Sequence, residues 1–257
     1  MFDQSQLLAE ADGEPVSYAN VHGSSDILLI CEHASRKLPA SLGTLGLSAE
    51  ALAAHIAWDP GALDVARRIS SLLDAALVFQ NFSRLAYDCN RPPEATDAMP
   101  AKSEVFEISG NAGLSAGARA ARIDCIYEPF RSAIATTIRN RKASGRQTVL
   151  VTVHSFTPVY KGVVRDVEVG ILHDVDRRLA DQMLDHAGRK RRFETRRNEP
   201  YGPADGVTHT LKEHGLANGL LNVMIEIRND LIKNEAGQEV MAGFLAGLIR
   251  ESLSIPA

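Results

Sequence analysis

The chain has 257 residues, 45% of them apolar and 23% charged, and its 28 Lys and Arg against 32 Asp and Glu give a formal charge of -4. That balance argues against nucleic acid as a partner, because phosphate binding rests on massed Lys and Arg, and the short run Arg189-Lys190-Arg191-Arg192 reads as a solvated helix end. No stretch has the apolar length that crosses a membrane, the acidic opening MFDQSQLLAEADGEP lacks the pattern of a secretory signal, and Cys31, Cys89 and Cys125 are too few and too irregularly spaced for a disulfide framework or a cysteine zinc site, which fits a reduced, cytoplasmic setting.

In chain order, DILLICEH (26–33) reads as a buried strand that ends on charged residues. GALDVARRISSLL (61–73) follows as a helix with Leu63, Ala66, Ile69 and Leu73 on one face. ALVFQNFSR (76–84) is the next strand, and residues 115–142 read as one long helix kinked at Pro129. TVLVTVHS (148–155) and VEVGILHD (167–174) are strands, VDRRLADQMLDHA (175–187) a helix, LLNVMIEIR (220–228) the last strand and EVMAGFLAGLIRESL (239–253) the last helix. Near-continuous apolar runs suit strands covered on both faces. The alternation predicts a single α/β domain over 1–257, with a mostly parallel, mixed central sheet and helices on both sides.

In such sheets the ligand lies beyond the carboxyl ends of the strands. Glu32 and His33 stand there, as do Ser83, Arg84, Asp88, Asn90 and Arg91, then His154 and Ser155, His173 and Asp174, and Glu226 and Arg228. His33 and His154, each ending a long apolar run, are candidate metal ligands, since a catalytic zinc takes three side chains from imidazole and carboxylate and keeps one position open. A carboxylate completes the set. Asp59 in HIAWDPGA is favoured, although it can equally cap the helix that begins near Pro60. Glu32 stays open as a ligand or as a second layer around one, because adjacent strand residues point to opposite faces unless the strand has already ended.

Glu226 in MIEIR puts a carboxylate inside a buried strand, which costs several kcal/mol, in order of magnitude, unless the group is paired or used. Arg228, two residues on and so on the same face, is one partner for it and a candidate substrate contact. The other reading makes Glu226 the general base that takes a proton from an attacking water. In SRLAYDCNRPP (83–93), Arg84 and Arg91 offer planar donors for a carboxylate or a developing oxyanion. Asn90 and Ser155 are further substrate contacts, while Asp88 is expected to orient an arginine.

CEHASRKLP, HIAWDPGA, SRLAYDCNRP, VTVHSF and MIEIRNDL, taken in this order, resemble the N-formylglutamate amidohydrolase family over roughly residues 27–253. The resemblance implies a fold similar to zinc carboxypeptidases and to the deacylases of acyl amino acids. It also implies a zinc-dependent hydrolase whose substrate is a small acidic acyl amino acid, most of all N-formyl-L-glutamate. By resemblance, His33 and His154 are the histidine ligands, Arg84, Asn90 and Arg91 the substrate segment, and Glu226 the catalytic glutamate. Carboxypeptidase-like sites carry a glutamate ligand three residues after the first histidine; here that residue is Arg36, so the carboxylate ligand comes from elsewhere. Two other readings remain: a peptidase or deacylase for another acidic amide, and a non-catalytic protein that holds an acidic ligand through Arg84 and Arg91.

Overall fold

The computed structural model describes residues 7–253, so the first six residues of the acidic opening stretch lie outside them. Eleven strands are present among the described residues. They are β1 (Val16–Ala19), β2 (Ile27–Cys31), β3 (Ala76–Gln80), β4 (Lys102–Ser103), β5 (Phe106–Glu107), β6 (Val149–Phe156), β7 (Val159–Tyr160), β8 (Val163–Val164), β9 (Val169–Leu172), β10 (Thr195–Arg197) and β11 (Leu221–Arg228). Seven of them form one sheet in the order β1-β3-β2-β6-β11-β9-β10. The four central strands β3, β2, β6 and β11 run parallel, while β1 and β9 join antiparallel to their inner neighbours. The pairs β4–β5 and β7–β8 are separate two-stranded hairpins.

The central strands are largely apolar because both of their faces are covered. Leu29, Leu77, Val151 and Ile225 pack against α2 (Ala62–Leu73), α5 (Arg178–Lys190) and α6 (Glu235–Leu253). Leu28, Val78, Leu150 and Met224 on the opposite face meet Ile126, Phe130, Ile134 and Ile138. Each such fully buried aliphatic side chain stabilises the fold by roughly 1.5–3 kcal/mol. Two short helices, α1 (Ala49–Ala53) and α3 (Ala116–Arg122), complete the set with α4 (Glu128–Ala143).

The expected single helix over 115–142 is continuous but not uniform. Between α3 and α4 the chain widens into a π-helical turn, Ile123–Tyr127, where the Glu128 N–H reaches the Ile123 carbonyl. Pro129, in the first turn of α4, has no N–H to donate into the preceding turn, so the ladder loosens before the proline instead of bending at it. Strands β1 and β10 were not expected. Both lie at the sheet edges and are short and part-exposed, so neither carries an apolar run.

Candidate metal and catalytic site

Strand order brings β2, β6 and β11 side by side with their carboxyl ends together. Strand β2 stops at Cys31, and Glu32 and His33 form a turn, which frees both from the alternation of a strand and lets them face one place. His154 is the sixth residue of β6, and the parallel register sets Glu226 of β11 directly beside it. Asp59 arrives from the loop before α2, with its N–H bonded to the His33 carbonyl at 2.9 Å. Gly61 lets that loop turn, with φ at +78° and a Cβ that would stand 2.5 Å from the Ile232 carbonyl oxygen.

The three side chains meet through one atom each. His33 Nδ1 and His154 Nδ1 are 3.2 Å apart, and Asp59 Oδ2 is 3.3 Å from the first and 2.9 Å from the second. Ligand atoms about 2.0–2.1 Å from a tetrahedral centre stand roughly 3.3 Å apart, so this triangle has the dimensions of one face of such a site. The outer ring nitrogens are held as well. His33 Nε2 lies 2.7 Å from Asp88 Oδ1, and His154 Nε2 lies 3.1 Å from Glu32 Oε2. Asp88 hydrogen-bonds Nε2 of His33, whereas Glu32 stands at ion-pair distance from Nε2 of His154 without hydrogen-bond alignment; both negative charges favour a proton on Nε2 and so turn the Nδ1 lone pairs toward Asp59. All four residues besides Glu32 that form this arrangement, and Glu32 itself, are buried. His33, Asp59 and His154 thus form a cluster that can hold a metal ion.

This geometry separates the two carboxylates that the sequence left open. Asp59 does not cap α2 with its side chain; only its backbone carbonyl meets the helix, accepting from Ala62. Glu32, expected as an alternative ligand, faces the wrong nitrogen of His154 and braces that ring from behind.

The charges follow the contacts. Burial alone would raise Asp59, but the neighbouring imidazoles His33 and His154 outweigh it and hold the carboxyl below its ordinary range. Burial disfavours charge on both rings; Asp88 and Asp59 nevertheless raise His33, and Glu32 and Asp59 raise His154 further. Glu226 is different. Its removal from water dominates and pushes it up to about 7, and its Oε2 has no hydrogen-bond partner.

His33, Asp59, Asp88, His154 and Glu226 form the floor of a cavity of about 740 Å³ that also reaches Arg84, Asn90, Arg91 and Ser155. Arg84 donates to Asp88 at 2.7 Å and lies 3.6 Å from Asp59 Oδ1, so Asp88 orients both this arginine, as expected, and His33. Arg91 lines the cavity with its donors already engaged, by Asp97 and by the carbonyls of Asn90 and Gly206. The Asn90 amide is spent on the Val207 carbonyl and the Thr210 N–H, which joins loop 83–91 to loop 207–210. Ser155 gives its hydroxyl to the Pro60 carbonyl and its N–H to Asp59 Oδ2, fixing that carboxylate.

Two expectations fail on topology. Arg228 does not pair with Glu226 or line the cavity; it turns to Asp230 at 2.8 Å and to the carbonyls of Arg165 and Asp166. At the last residue of β11 it has left the sheet's covered region and finds acids at the surface. His173 lies outside the cluster because β9 runs antiparallel to β11, so its carboxyl end sits at the opposite end of the strands, where the ring meets Arg197. Sequence reasoning also passed over Arg165, Tyr160 and Tyr201, which line the cavity from the short β7–β8 hairpin and from a loop, with no apolar run to mark them.

The model of the family described as N-formylglutamate amidohydrolase matches residues 25–233. No curated protein matches the chain. Among solved structures, the gene product Atu2144 from Agrobacterium tumefaciens is similar at 55% identity and a TM-score of 0.95, covering 97% of this chain and 98% of its own. The N-formylglutamate amidohydrolase from Ralstonia eutropha JMP134 is 17% identical with a TM-score of 0.66, covering 93% of this chain and 97% of its own, and shares the fold.

Proposed function

Because the chain belongs to the N-formylglutamate amidohydrolase family and is a hydrolase of amide bonds, we propose that it cleaves a small acidic N-acyl amino acid, N-formyl-L-glutamate above all, to the free acid and the amino acid, with the help of a zinc ion. The observation that carries this reading is the triangle of His33 Nδ1, His154 Nδ1 and Asp59 Oδ2 beside the unpartnered carboxyl of Glu226.

His33, His154 and Asp59 would hold the ion, whose two imidazole nitrogens and one carboxylate oxygen are the donors zinc prefers in catalytic sites. When bound, zinc supplies Lewis acidity, which acidifies a water and polarises a carbonyl. Glu226 takes the proton of the attacking water and returns it to the leaving nitrogen; a carboxyl that titrates at about 7 is suited to both transfers near neutral pH. Arg84 is clamped by Asp88 on the His33 side of the floor and offers its remaining donors to the charge that grows on the carbonyl oxygen. Glu32 and Asp88 keep the two rings turned inward, and Ser155 keeps Asp59 in place. Asn90 and Arg91 act through the loops they join, and Arg91 through the wall it forms.

Among the described residues no helix is long and apolar enough to cross a membrane, and Cys31, Cys89 and Cys125 are all free, which suits the cytoplasm as the setting. The test is to purify the protein without chelator, measure bound metal by elemental analysis, and follow N-formyl-glutamate hydrolysis before and after chelation. Stoichiometric zinc and chelator-sensitive turnover are expected. Metal-free protein that binds glutamate tightly and hydrolyses no acyl amino acid would replace the catalytic reading with a binding one.

A further inference from the structure

Five cationic side chains line the cavity: Arg84, Arg91, Lys102, Lys161 and Arg165. Three of them are neutralised by acids of the chain itself. Arg84 pairs with Asp88, Arg91 with Asp97 and Lys102 with Glu107. Lys161 is exposed at the tip of the β7–β8 hairpin and lies 5.2 Å from the Tyr160 ring centre. Arg165 stands apart. It is half-buried, and among the described residues it has no carboxylate within ion-pairing distance.

What surrounds Arg165 is aromatic. Its guanidinium lies 4.6 Å from the ring centre of Tyr160, 4.8 Å from that of Tyr201 and 5.6 Å from that of Phe156. Ring faces hold a planar cation in one orientation without cancelling its charge. The backbone is fixed too, since the Arg165 N–H bonds the Pro158 carbonyl at 2.9 Å and the Arg165 carbonyl accepts from Arg228 at 3.2 Å. Nη1 donates to the Thr157 carbonyl and the side chain also hydrogen-bonds Tyr201, neither of which carries a charge to match the guanidinium. Tyr201 lies within the electrostatic reach of Glu226, Arg165 and Arg84, so this cation shares the cavity with the Glu226 carboxyl and the Arg84–Asp88 clamp. A part-buried cation held by rings and left without a counter-ion is a receptor for an anion the chain does not supply.

We propose that Arg165 is the specificity-determining residue that takes the side-chain carboxylate of the amino-acid half of the substrate, and that Tyr160 and Tyr201 set its plane for a two-point contact. The inference rests on the reading of this site as that of an acyl-amino-acid hydrolase. It moves the carboxylate contact from Arg84, which is clamped by Asp88 and faces the reacting carbonyl, and from Arg91, whose donors are committed, to a residue on the hairpin base.

The experiment compares the metal-loaded wild type with Arg165→Gln and Arg165→Lys on N-formyl-glutamate and on N-formyl-leucine, which keeps the α-carboxylate and lacks the side-chain one. Losing a charge-assisted contact to a carboxylate should raise KM for N-formyl-glutamate about tenfold to a hundredfold in Arg165→Gln. With kcat little changed and N-formyl-leucine unaffected, the preference for the dicarboxylate substrate should collapse by the same factor. Arg165→Lys, which keeps the charge and loses the planar fork, should restore part of it. Calorimetric titration of each protein with glutarate, a dicarboxylate with no scissile bond, gives a second readout, in which Arg165→Gln should bind at least tenfold more weakly. An unchanged ratio between the two substrates together with unchanged glutarate affinity would overturn the proposal. If wild type hydrolyses no acyl amino acid yet loses glutarate binding on Arg165→Gln, the function falls and the anion contact stands.

Discussion

Glu226→Gln separates the chemistry of this carboxyl from the cost of burying it. The residue is 5% exposed, so water screens it little, and burial carries its titration from the ordinary 4.5 up to about 7. In the folded chain the proton is therefore held more tightly than in the unfolded chain. The cost of ionising it is absent below pH 4.5, grows through the interval and is complete above about 7, where it amounts to on the order of 3 kcal/mol. Glutamine has nearly the same shape and does not ionise. In the presence of chelator, denaturant titrations at pH 8 should thus find Glu226→Gln more stable than wild type by up to that amount, and at pH 4.5 the two should converge. Metal content should be unchanged, because Glu226 is no part of the His33–Asp59–His154 triangle. Turnover should fall about 10²–10⁴-fold, the range expected for removal of a general base. Near-normal turnover would refute the role assigned to Glu226, and a variant less stable than wild type at pH 8 would refute the account of its burial.

Three further outcomes follow from the same geometry. Asp88→Asn removes the charge behind His33 Nε2 and should weaken zinc binding about 10–100-fold in competition with a chromophoric chelator, with Glu226 untouched. Zinc binding at pH 7 should release roughly one to two protons per ion, seen as a dependence of the calorimetric heat on the buffer's ionisation enthalpy, because neighbouring carboxylates raise both His33 and His154. His214 is buried and its removal from water lowers it to about 4; the unfolded chain binds that proton first, so stability present above pH 6.5 is lost as pH falls through about 4, by on the order of 3 kcal/mol. In denaturant titrations over this interval the loss should be smaller in His214→Gln than in wild type.

The sequence carried most of the sheet and the centre of the site, for one physical reason. Strands buried on both faces must be apolar along their whole length, so TVLVTVHS and LLNVMIEIR announced both their position and the oddity of His154 and Glu226 within them. Edge elements are under no such demand, and β1 and β10 passed unseen. What a linear reading lacked was direction. His173 follows an apolar run as His154 does, and only the reversed course of β9 removes it from the site. The choice between Asp59 and Glu32 was hidden for a related reason, since it depends on which nitrogen of His154 each carboxylate meets. Arg165 left no mark at all, because a cation held by Tyr160 and Tyr201 draws its meaning from residues 5 and 36 positions away in the chain.

The charge gathered at the strand ends explains why this pocket suits a divalent ion. Glu32, Asp59, Asp88 and Glu226 bring four carboxyl groups together with one guanidinium, Arg84, and two imidazoles, all close enough to sense one another. With the carboxyls ionised and the rings neutral the cluster carries three net negative charges in a region from which water is largely excluded, a state the fold cannot hold cheaply. Protons answer it in the free protein: both rings shift toward the charged form, and Glu226 toward the neutral one. The ring protons sit where Nδ1 faces Asp59 Oδ2, at 3.3 and 2.9 Å. A single divalent ion among those three atoms replaces two protons charge for charge and satisfies the same lone pairs, leaving the electrostatic balance of the fold unchanged. A monovalent ion would leave one charge uncompensated. The same balance leaves Glu226 outside the exchange, free to gain and lose its own proton, which is what a base beside such an ion has to do.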